Sequence, residues 1–131
     1  PDFKLQTAKV RNILPKKLPY SDIVYNISRS VNMMKGFSEG DLEIIKDVFD
    51  DKLHQPYRIS LIKNADKILE ALKDKGYAVT ISGAGSSLIA VGKTAVTDEE
   101  LKDVQIKNWQ KLVFTSNNDK VEVKKLWKMN F

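Results

Sequence analysis

A glycine loop is the stretch of this sequence whose residue types point most directly to chemistry. Residues 82–86 read Ser-Gly-Ala-Gly-Ser, and the apolar runs 77–81 and 88–91 lie on either side. Glycine at positions 83 and 85 lets the backbone adopt positive φ and lets an anion approach closely, so successive N–H groups can face a phosphate. A hairpin turn without a ligand is the alternative, and for these residues alone it is the more frequent outcome.

Three arginines, Arg11, Arg29 and Arg58, stand out among the 22 basic residues of a lysine-rich chain. A guanidinium is a rigid planar fork that fits a carboxylate or a phosphate, whereas lysine is a flexible point charge. The arginines are therefore candidates for holding an anionic ligand. Arg29 shares the flank of a predicted helix with Asn26, where a solvated polar face is the simpler interpretation.

A polar segment at residues 50–58 surrounds the single histidine. Pro56 fixes its own φ and discourages helix before it, which predicts a defined turn. His54 at such a turn is most simply a hydrogen-bonded structural residue rather than a catalytic one. Asp50 and Asp51 are sequence neighbours, and neighbouring side chains on a helix do not converge on one ion. We therefore predict no metal site and expect at most one of these carboxylates to contribute to function.

Composition places the chain among ordinary globular proteins. Its 131 residues suit one domain, with 42% hydrophobic and 30% charged residues. It has no apolar run of membrane-spanning length and no signal-peptide pattern, and without cysteine it can form neither disulfides nor thiolate metal sites. We expect a cytoplasmic protein. The net charge of +5 comes from scattered lysines rather than from a basic stripe with aromatics, so nucleic-acid binding is not indicated.

Hydrophobic periodicity supplies the elements that would position these groups. The predicted order is a strand at 3–7, helices from Ser21 to Gly36, from Ser38 to Phe49 and from Ser60 to about Lys75, strands at 77–81 and 88–91, a helix opened by the capping box of Thr97 and Glu100, and a strand at 120–127. The first two helices are expected to be mostly core. This order predicts an α+β fold, a small, mainly antiparallel sheet of about four strands with about four helices on one face, as in a ferredoxin-like two-layer sandwich.

Four stretches together resemble the C-terminal domain of the homoserine kinases, members of the family that also includes galactokinase, mevalonate kinase and phosphomevalonate kinase. They are TAKVRNILP at 7–15, DIVYNISR at 22–29, DKLHQPYR at 51–58 with Leu61 and Ile62 following, and GYAVTISGAGSSLIA at 76–90. The resemblance covers nearly the first 92 residues. The glycine loop alone would indicate only the wider family, whereas the arginine motifs and the Asn-x-Ser-Arg segment point to the homoserine enzymes.

The resemblance implies transfer of the ATP γ-phosphate, with Mg²⁺, to the side-chain hydroxyl of L-homoserine on the route to threonine. It implies that Arg11 and Arg58 bind the substrate carboxylate, a role that suits guanidinium forks. It also implies that the glycine loop lies against a phosphate-binding loop. The residues assigned to this phosphate-loop support are Ser82, Gly83, Ala84, Gly85 and Ser86. The resemblance identifies no catalytic residue, and Ser86 stands where the family usually carries proline.

Part of the family's machinery does not occur in these 131 residues. The second phosphate loop, of Pro-x-x-x-Gly-Leu-Gly-Ser-Ser type, and the acceptor-binding residues of an N-terminal domain are missing from the sequence. We therefore expect residues 1–131 to form a C-terminal domain that is inactive alone and works with an N-terminal domain that holds most of ATP and Mg²⁺. L-homoserine and ATP are the expected ligands, membranes and nucleic acids are not expected partners, and a homodimer is left open. The alternative functions are a stand-alone ferredoxin-like module that binds an amino acid for regulation and, third, an RNA-binding domain.

Overall fold

Five α-helices and one antiparallel hairpin make up the regular structure of the computed structural model, which describes residues 1, 5–83, 86–104 and 106–116, apart from the side chains of residues 7–9. In chain order the elements are α1 (Thr7–Asn12), α2 (Tyr20–Glu39), α3 (Leu42–Val48), α4 (Gln55–Arg58), α5 (Ala65–Asp74), β1 (Ala78–Ile81) and β2 (Leu88–Val91). Short 3₁₀ turns occur at Ile59–Leu61 and Glu99–Leu101. No helix among these residues is long and apolar enough to cross a bilayer.

The two strands predicted around the glycine loop are confirmed as a hairpin. β1 and β2 pair antiparallel, and Ile81 lies opposite Leu88 next to the loop. The α+β class is confirmed, but the described residues contain two strands rather than the predicted four. The first predicted strand is wrong at Thr7, where α1 begins, and the strand predicted at 120–127 lies outside the described residues.

The hydrophobic core lies on both faces of β1. Val79 is fully buried and clusters with Ile68 of α5, whereas Ala78 clusters with Ile45 of α3. Successive strand residues point to opposite faces, so α5 and α3 lie on opposite sides of the strand. The prediction that the helices cover one face of the sheet is therefore wrong for these two helices.

Helix α2 is longer than its sequence pattern predicts. The sequence places the end of this helix at Gly36, but it continues to Glu39 and ends at Gly40, whose φ is +65°. Gly36 is buried inside the helix, and a Cβ there would lie 2.9 Å from Cγ2 of Ile44. This glycine therefore permits close packing of α2 on α3 instead of ending the helix. Glycine is favoured both at helix ends and at close contacts between helices, so the sequence pattern places the end of α2 at the wrong glycine.

The face of α2 that the sequence assigns to the core is largely exposed. Ile27, Val31 and Met34 are 60%, 71% and 78% exposed. α2 meets α3 through a different position, Phe37, whose ring centroid lies 6.0 Å from that of Phe49. The expectation that both helices are mostly core is therefore wrong for α2, while the α3 stripe is buried as predicted.

The third helix, predicted from Ser60 to about Lys75, begins later than the sequence indicates, at Ala65, and a separate short helix precedes it. Pro56 lies in the first turn of α4, where its missing N–H and fixed φ are tolerated, so the defined turn expected there is a helical one. A 3₁₀ turn follows, and Asn64 at φ +62° separates it from α5. Further along, the predicted capping box forms, with the N–H of Thr97 donating to Oε2 of Glu100 at 2.7 Å. Among the described residues after this box, a 3₁₀ turn forms instead of the predicted full helix.

Candidate functional site

The glycine loop joins β1 to β2 at one end of the hairpin. The N–H of Ser82 donates to the carbonyl of Ser87 at 2.8 Å, and this bond closes the base of the loop. Gly83 has φ +62°, the positive value that its residue type allows, and, its chain neighbours aside, no heavy atom of the described residues lies within 4 Å of where its Cβ would be. Ala84 and Gly85 lie outside the described residues, so the predicted cradle of N–H groups stays a prediction.

Arg58 lies beside this loop. It occupies the last turn of α4, and its Nη1 lies 3.4 Å from the carbonyl oxygen of Gly83, to which it donates. Its Nε is buried, and no acceptor for it occurs among the described residues. The structure therefore brings together two of the features singled out in the sequence, an anion-binding side chain and the glycine loop, although they are 25 positions apart.

Arg11 is placed differently from what the sequence predicts. It lies in α1, rather than after a strand, and its side chain is exposed. The convergence of these two guanidinium groups on one carboxylate stays a prediction.

Asp51 connects α2 to the start of α4. Its Oδ2 accepts from the Nδ2 of Asn26 at 2.5 Å, and its Oδ1 accepts from the N–H groups of His54 and Gln55, each at 2.7 Å. The Oδ1 of Asn26 in turn accepts from the N–H of Lys52 at 3.0 Å. Asn26 is therefore bound rather than solvated, and Asp51 caps a short helix whose first N–H groups need acceptors.

The charge states of Asp51 and His54 follow from this placement. Burial opposes the ionisation of Asp51, but the N–H groups of Gln55 and His54, together with the Asn26 amide, hold its pKa below the ordinary value of 3.8. Burial, with Arg58 nearby, lowers the pKa of His54 below 6.5 even though its Nε2 lies 3.6 Å from the Asp51 carboxylate. His54 is therefore neutral near pH 7.

Arg29, the third arginine, serves helix packing. Its Nη2 lies 2.8 Å from Oδ1 of Asp47, its Nε donates to the Asp47 carbonyl at 3.0 Å, and its guanidinium carbon lies 3.3 Å from the ring centroid of Tyr25. The Tyr25 hydroxyl donates to Asp50, and this hydrogen bond raises the pKa of Tyr25. These contacts tie α2 to α3 and to the segment that follows it, so the solvated polar face expected for Arg29 is not observed.

Gln55 is a buried polar residue that no pattern in the sequence marks. Its Oε1 accepts from the hydroxyl of Thr80 at 2.8 Å and from the N–H of Ile81 at 2.9 Å. α4 is thereby bonded to the last two residues of β1. Asn26, Asp51 and Gln55 thus bond the elements around the candidate site to one another, and no periodic pattern marks any of them in the sequence.

A cleft of about 230 Å³ opens beside these residues, between α2 and the end of β1. Asn26, Arg29, Asp51 and His54 contribute to its lining. Most of these polar groups are bonded to one another, as described above. The described residues contain no group of three His, Cys, Asp or Glu side chains that could hold a metal ion.

Comparison with known proteins identifies the family. Residues 33–110 match the family model described as GHMP kinases C terminal. The chain belongs to the GHMP kinases. The matched range of this GHMP kinase chain includes Arg58 and the whole glycine loop, while Arg11 and Asn26 precede it.

Two relatives of this GHMP kinase chain and one solved structure are named homoserine kinase. The chain is 35% identical over 111 residues to a homoserine kinase of Prochlorococcus marinus strain NATL1A, and 40% identical over 105 residues to a homoserine kinase of Pyrococcus horikoshii. These alignments cover 84% and 79% of the chain but only 35% and 34% of the relatives. A crystal structure of homoserine kinase from Cytophaga hutchinsonii matches with a TM-score of 0.63 and 29% identity over 75% of the chain and 30% of that structure. The chain thus spans about a third of the length of the relatives it matches.

Proposed function

We propose that this chain is the C-terminal domain of a homoserine kinase, an enzyme that transfers the γ-phosphate of ATP to the side-chain hydroxyl of L-homoserine in threonine biosynthesis. The names of the relatives and of the structural neighbour support this substrate. The observation that carries the proposal is the contact of Arg58 with the carbonyl of Gly83. This contact places a guanidinium, which can bind a carboxylate, next to a loop whose N–H groups can face a phosphate.

The proposed roles divide between the arginines and the loop. Arg58 and Arg11 bind the carboxylate of L-homoserine, and residues 82–86 support the phosphate-binding loop of the rest of the enzyme. The open space beside Gly83 supports the second role, because another backbone or a phosphate can approach there without meeting a side chain. This chain therefore contributes the orientation of the acceptor, on which phosphoryl transfer chiefly depends.

ATP and Mg²⁺ are assigned mainly to an N-terminal domain. Among the described residues, the carboxylates do not form a group of three that could hold a metal ion on its own. In the transfer itself the homoserine oxygen forms a bond to the γ-phosphorus, the bond to the bridging oxygen breaks, ADP leaves and the hydroxyl proton is released. We place the enzyme in the cytoplasm, in keeping with the lack of cysteine.

The test is L-homoserine-dependent release of ADP by the full-length protein. We expect activity from the full-length protein and none from the 131-residue chain, which contains the acceptor-orienting part alone. Replacing L-homoserine by 3-aminopropanol, which keeps the hydroxyl and amine but has no carboxylate, should abolish most of the activity. ADP release by the isolated chain would contradict the proposal. So would a full-length protein without kinase activity whose isolated chain binds an amino acid, and that result would favour a regulatory module.

Arg58→Lys in the full-length protein examines the carboxylate site directly. Lysine keeps the charge but loses the planar fork, and a charged hydrogen bond is worth about 1.5 to 3 kcal/mol. We expect the KM for L-homoserine to rise about tenfold to a hundredfold while the KM for ATP changes little. Arg11→Lys should behave alike, and the double variant should lose less than the sum if both forks bind one carboxylate. A weakened ATP KM with an unchanged homoserine KM would show that Arg58 serves the nucleotide.

A further inference from the structure

The side chain of Gln55 lies between α4 and the strand that leads into the glycine loop. Gln55 is only 7% exposed, and its Oε1 accepts two hydrogen bonds, from Oγ1 of Thr80 and from the N–H of Ile81. A main-chain N–H can only donate, so the atom facing Ile81 must be the amide oxygen. The orientation of this amide is therefore fixed by its partners.

The N–H of Ile81 needs an acceptor from outside the hairpin. The bond from Ser82 to Ser87 makes that pair a hydrogen-bonded one, so the neighbouring pair, Ile81 and Leu88, is not hydrogen-bonded. The N–H of Ile81 thus points away from β2, toward the outer edge of β1. Gln55 supplies the carbonyl that an adjacent strand would otherwise provide, and without it a buried donor would lack a partner.

The same short helix makes a second contact with the loop. Arg58 follows Gln55 by three residues and donates to the carbonyl of Gly83, two positions after Ile81. The first turn of α4 is itself held by Asp51. α4 is therefore fixed at its beginning to α2, through Gln55 to the end of β1, and through Arg58 to the loop.

We propose that Gln55 is a positioning residue that sets the glycine loop at a fixed distance from Arg58. The proposal rests on the proposed function, in which Arg58 binds the acceptor and the loop supports the phosphate. Gln55 touches neither ligand in this role. It fixes the separation between the two sites, and this separation decides whether the acceptor oxygen meets the γ-phosphorus in line.

The test compares two substitutions of Gln55 in the full-length protein. Gln55→Leu fills similar space but accepts no hydrogen bond, so kcat with both substrates saturating should fall about tenfold to a hundredfold, the loss that a misplacement of about 1 Å produces. The KM for L-homoserine should stay near its wild-type value, because the carboxylate site itself is intact. Gln55→Glu keeps an acceptor toward both Thr80 and Ile81 and should restore most of kcat.

Tyr77→Phe is the matched control, since it removes a hydroxyl that lies 3.2 Å from the Glu100 carboxylate at the opposite end of the hairpin. Hydrogen–deuterium exchange at the amide of Ile81 gives the second readout. We expect this exchange to be at least about tenfold faster in Gln55→Leu, because local opening then costs less, and unchanged in Tyr77→Phe.

Three results would overturn the proposal. Wild-type kcat in Gln55→Leu together with faster exchange at Ile81 would make the contact purely structural. Equal losses of kcat and Tm in Gln55→Leu and Tyr77→Phe would point to general destabilisation. Unchanged exchange at Ile81 would show that Gln55 does not hold the loop. If the wild-type protein releases no ADP with L-homoserine, the proposed function is wrong, and the exchange at Ile81 still decides whether Gln55 fixes the loop.

Discussion

The two ends of the β1–β2 hairpin are held by different kinds of contact. At the open end, Tyr77 is buried beside Gly92, where an added Cβ would lie 2.4 Å from the ring atom Cδ1. At the loop end, Gln55 and Arg58 of α4 bond to the main chain of β1 and of the loop. Close packing of the Tyr77 ring dominates the first end, where its hydroxyl also lies 3.2 Å from the Glu100 carboxylate, and directional polar contacts to the main chain hold the second.

Because of this difference, the two ends of the hairpin should respond to different kinds of substitution. A close-packed contact responds to volume, because the surrounding side chains cannot move far. Buried polar contacts respond to charge and to the loss of a partner, because an unpaired group is costly in a low-dielectric interior. Substitutions at the open end should therefore change stability alone, and substitutions near the loop should also change the dependence on pH and ligand.

The largest expected effect on stability is at the open end, with Gly92→Val. The added side chain would overlap the ring of Tyr77, so the free energy of unfolding should fall by about 3 kcal/mol, the upper part of the usual range for overpacking. Urea unfolding of the chain measures this loss. In a double-mutant cycle, Tyr77→Leu should reduce the cost of Gly92→Val by removing the ring. Additive losses would show that the ring is not the obstacle and would weaken the contrast between the two ends.

Asp51→Asn should have a smaller effect, and one that depends on pH. The amide keeps an acceptor for the N–H groups of α4 but loses the charge, which should cost about 1.5 kcal/mol near pH 7. Because the folded pKa of Asp51 lies below 3.8, its contribution is complete above pH 3.8 and is lost as the pH falls through the folded pKa. The stability difference between Asp51→Asn and wild type should therefore shrink in acid. A difference that stays constant from pH 7 down to pH 2 would contradict this role of the charge.

His54→Gln should give the smallest effect, visible only as a change of slope. The folded pKa of His54 is below 6.5, so the unfolded chain binds more protons between the two pKa values. The free energy of unfolding is then highest above pH 6.5 and falls as the pH drops through the folded pKa. For one proton the slope is at most about 1.4 kcal/mol per pH unit. The variant should lack this slope below pH 6.5 in urea midpoints. An unchanged slope would assign it to another group.

The hairpin could be predicted because its signals are local. The apolar runs at 77–81 and 88–91 and the glycines between them lie within fifteen consecutive positions, and Gly83 has the positive φ that its type suggests. The antiparallel orientation of the two strands then follows from the short connection between them. The family was predictable for a related reason, since its motifs are continuous stretches of sequence.

The polar contacts at the loop end could not be predicted in the same way. Asn26 and Asp51 are 25 positions apart, and Gln55 and Ile81 are 26 positions apart. Hydrophobic periodicity shows which side of a helix is apolar, but it does not show which polar groups meet when helices and strands pack. For this reason the sequence predicts a solvated Asn26, and no pattern marks Gln55.

Element boundaries were missed where one residue type has two uses. Gly36 predicts a helix end but is a site of close packing, and Pro56 predicts a turn but lies in the first turn of a helix. Asn64 adopts φ +62° and interrupts an otherwise continuous helical pattern. Asparagine reaches this conformation more readily than most residues, yet most asparagines do not adopt it. In each case the tertiary surroundings decide between the two uses.

The exposed side of α2 has a consequence for the colloidal behaviour of the chain. Ile27, Val31 and Met34 form a strip of aliphatic surface along a helix of 20 residues, and contiguous strips of this kind attract one another in concentrated solution. The net charge of +5 opposes this attraction by mutual repulsion between molecules. Added salt screens the repulsion but not the hydrophobic attraction, so the isolated 131-residue chain should be handled most easily at low ionic strength.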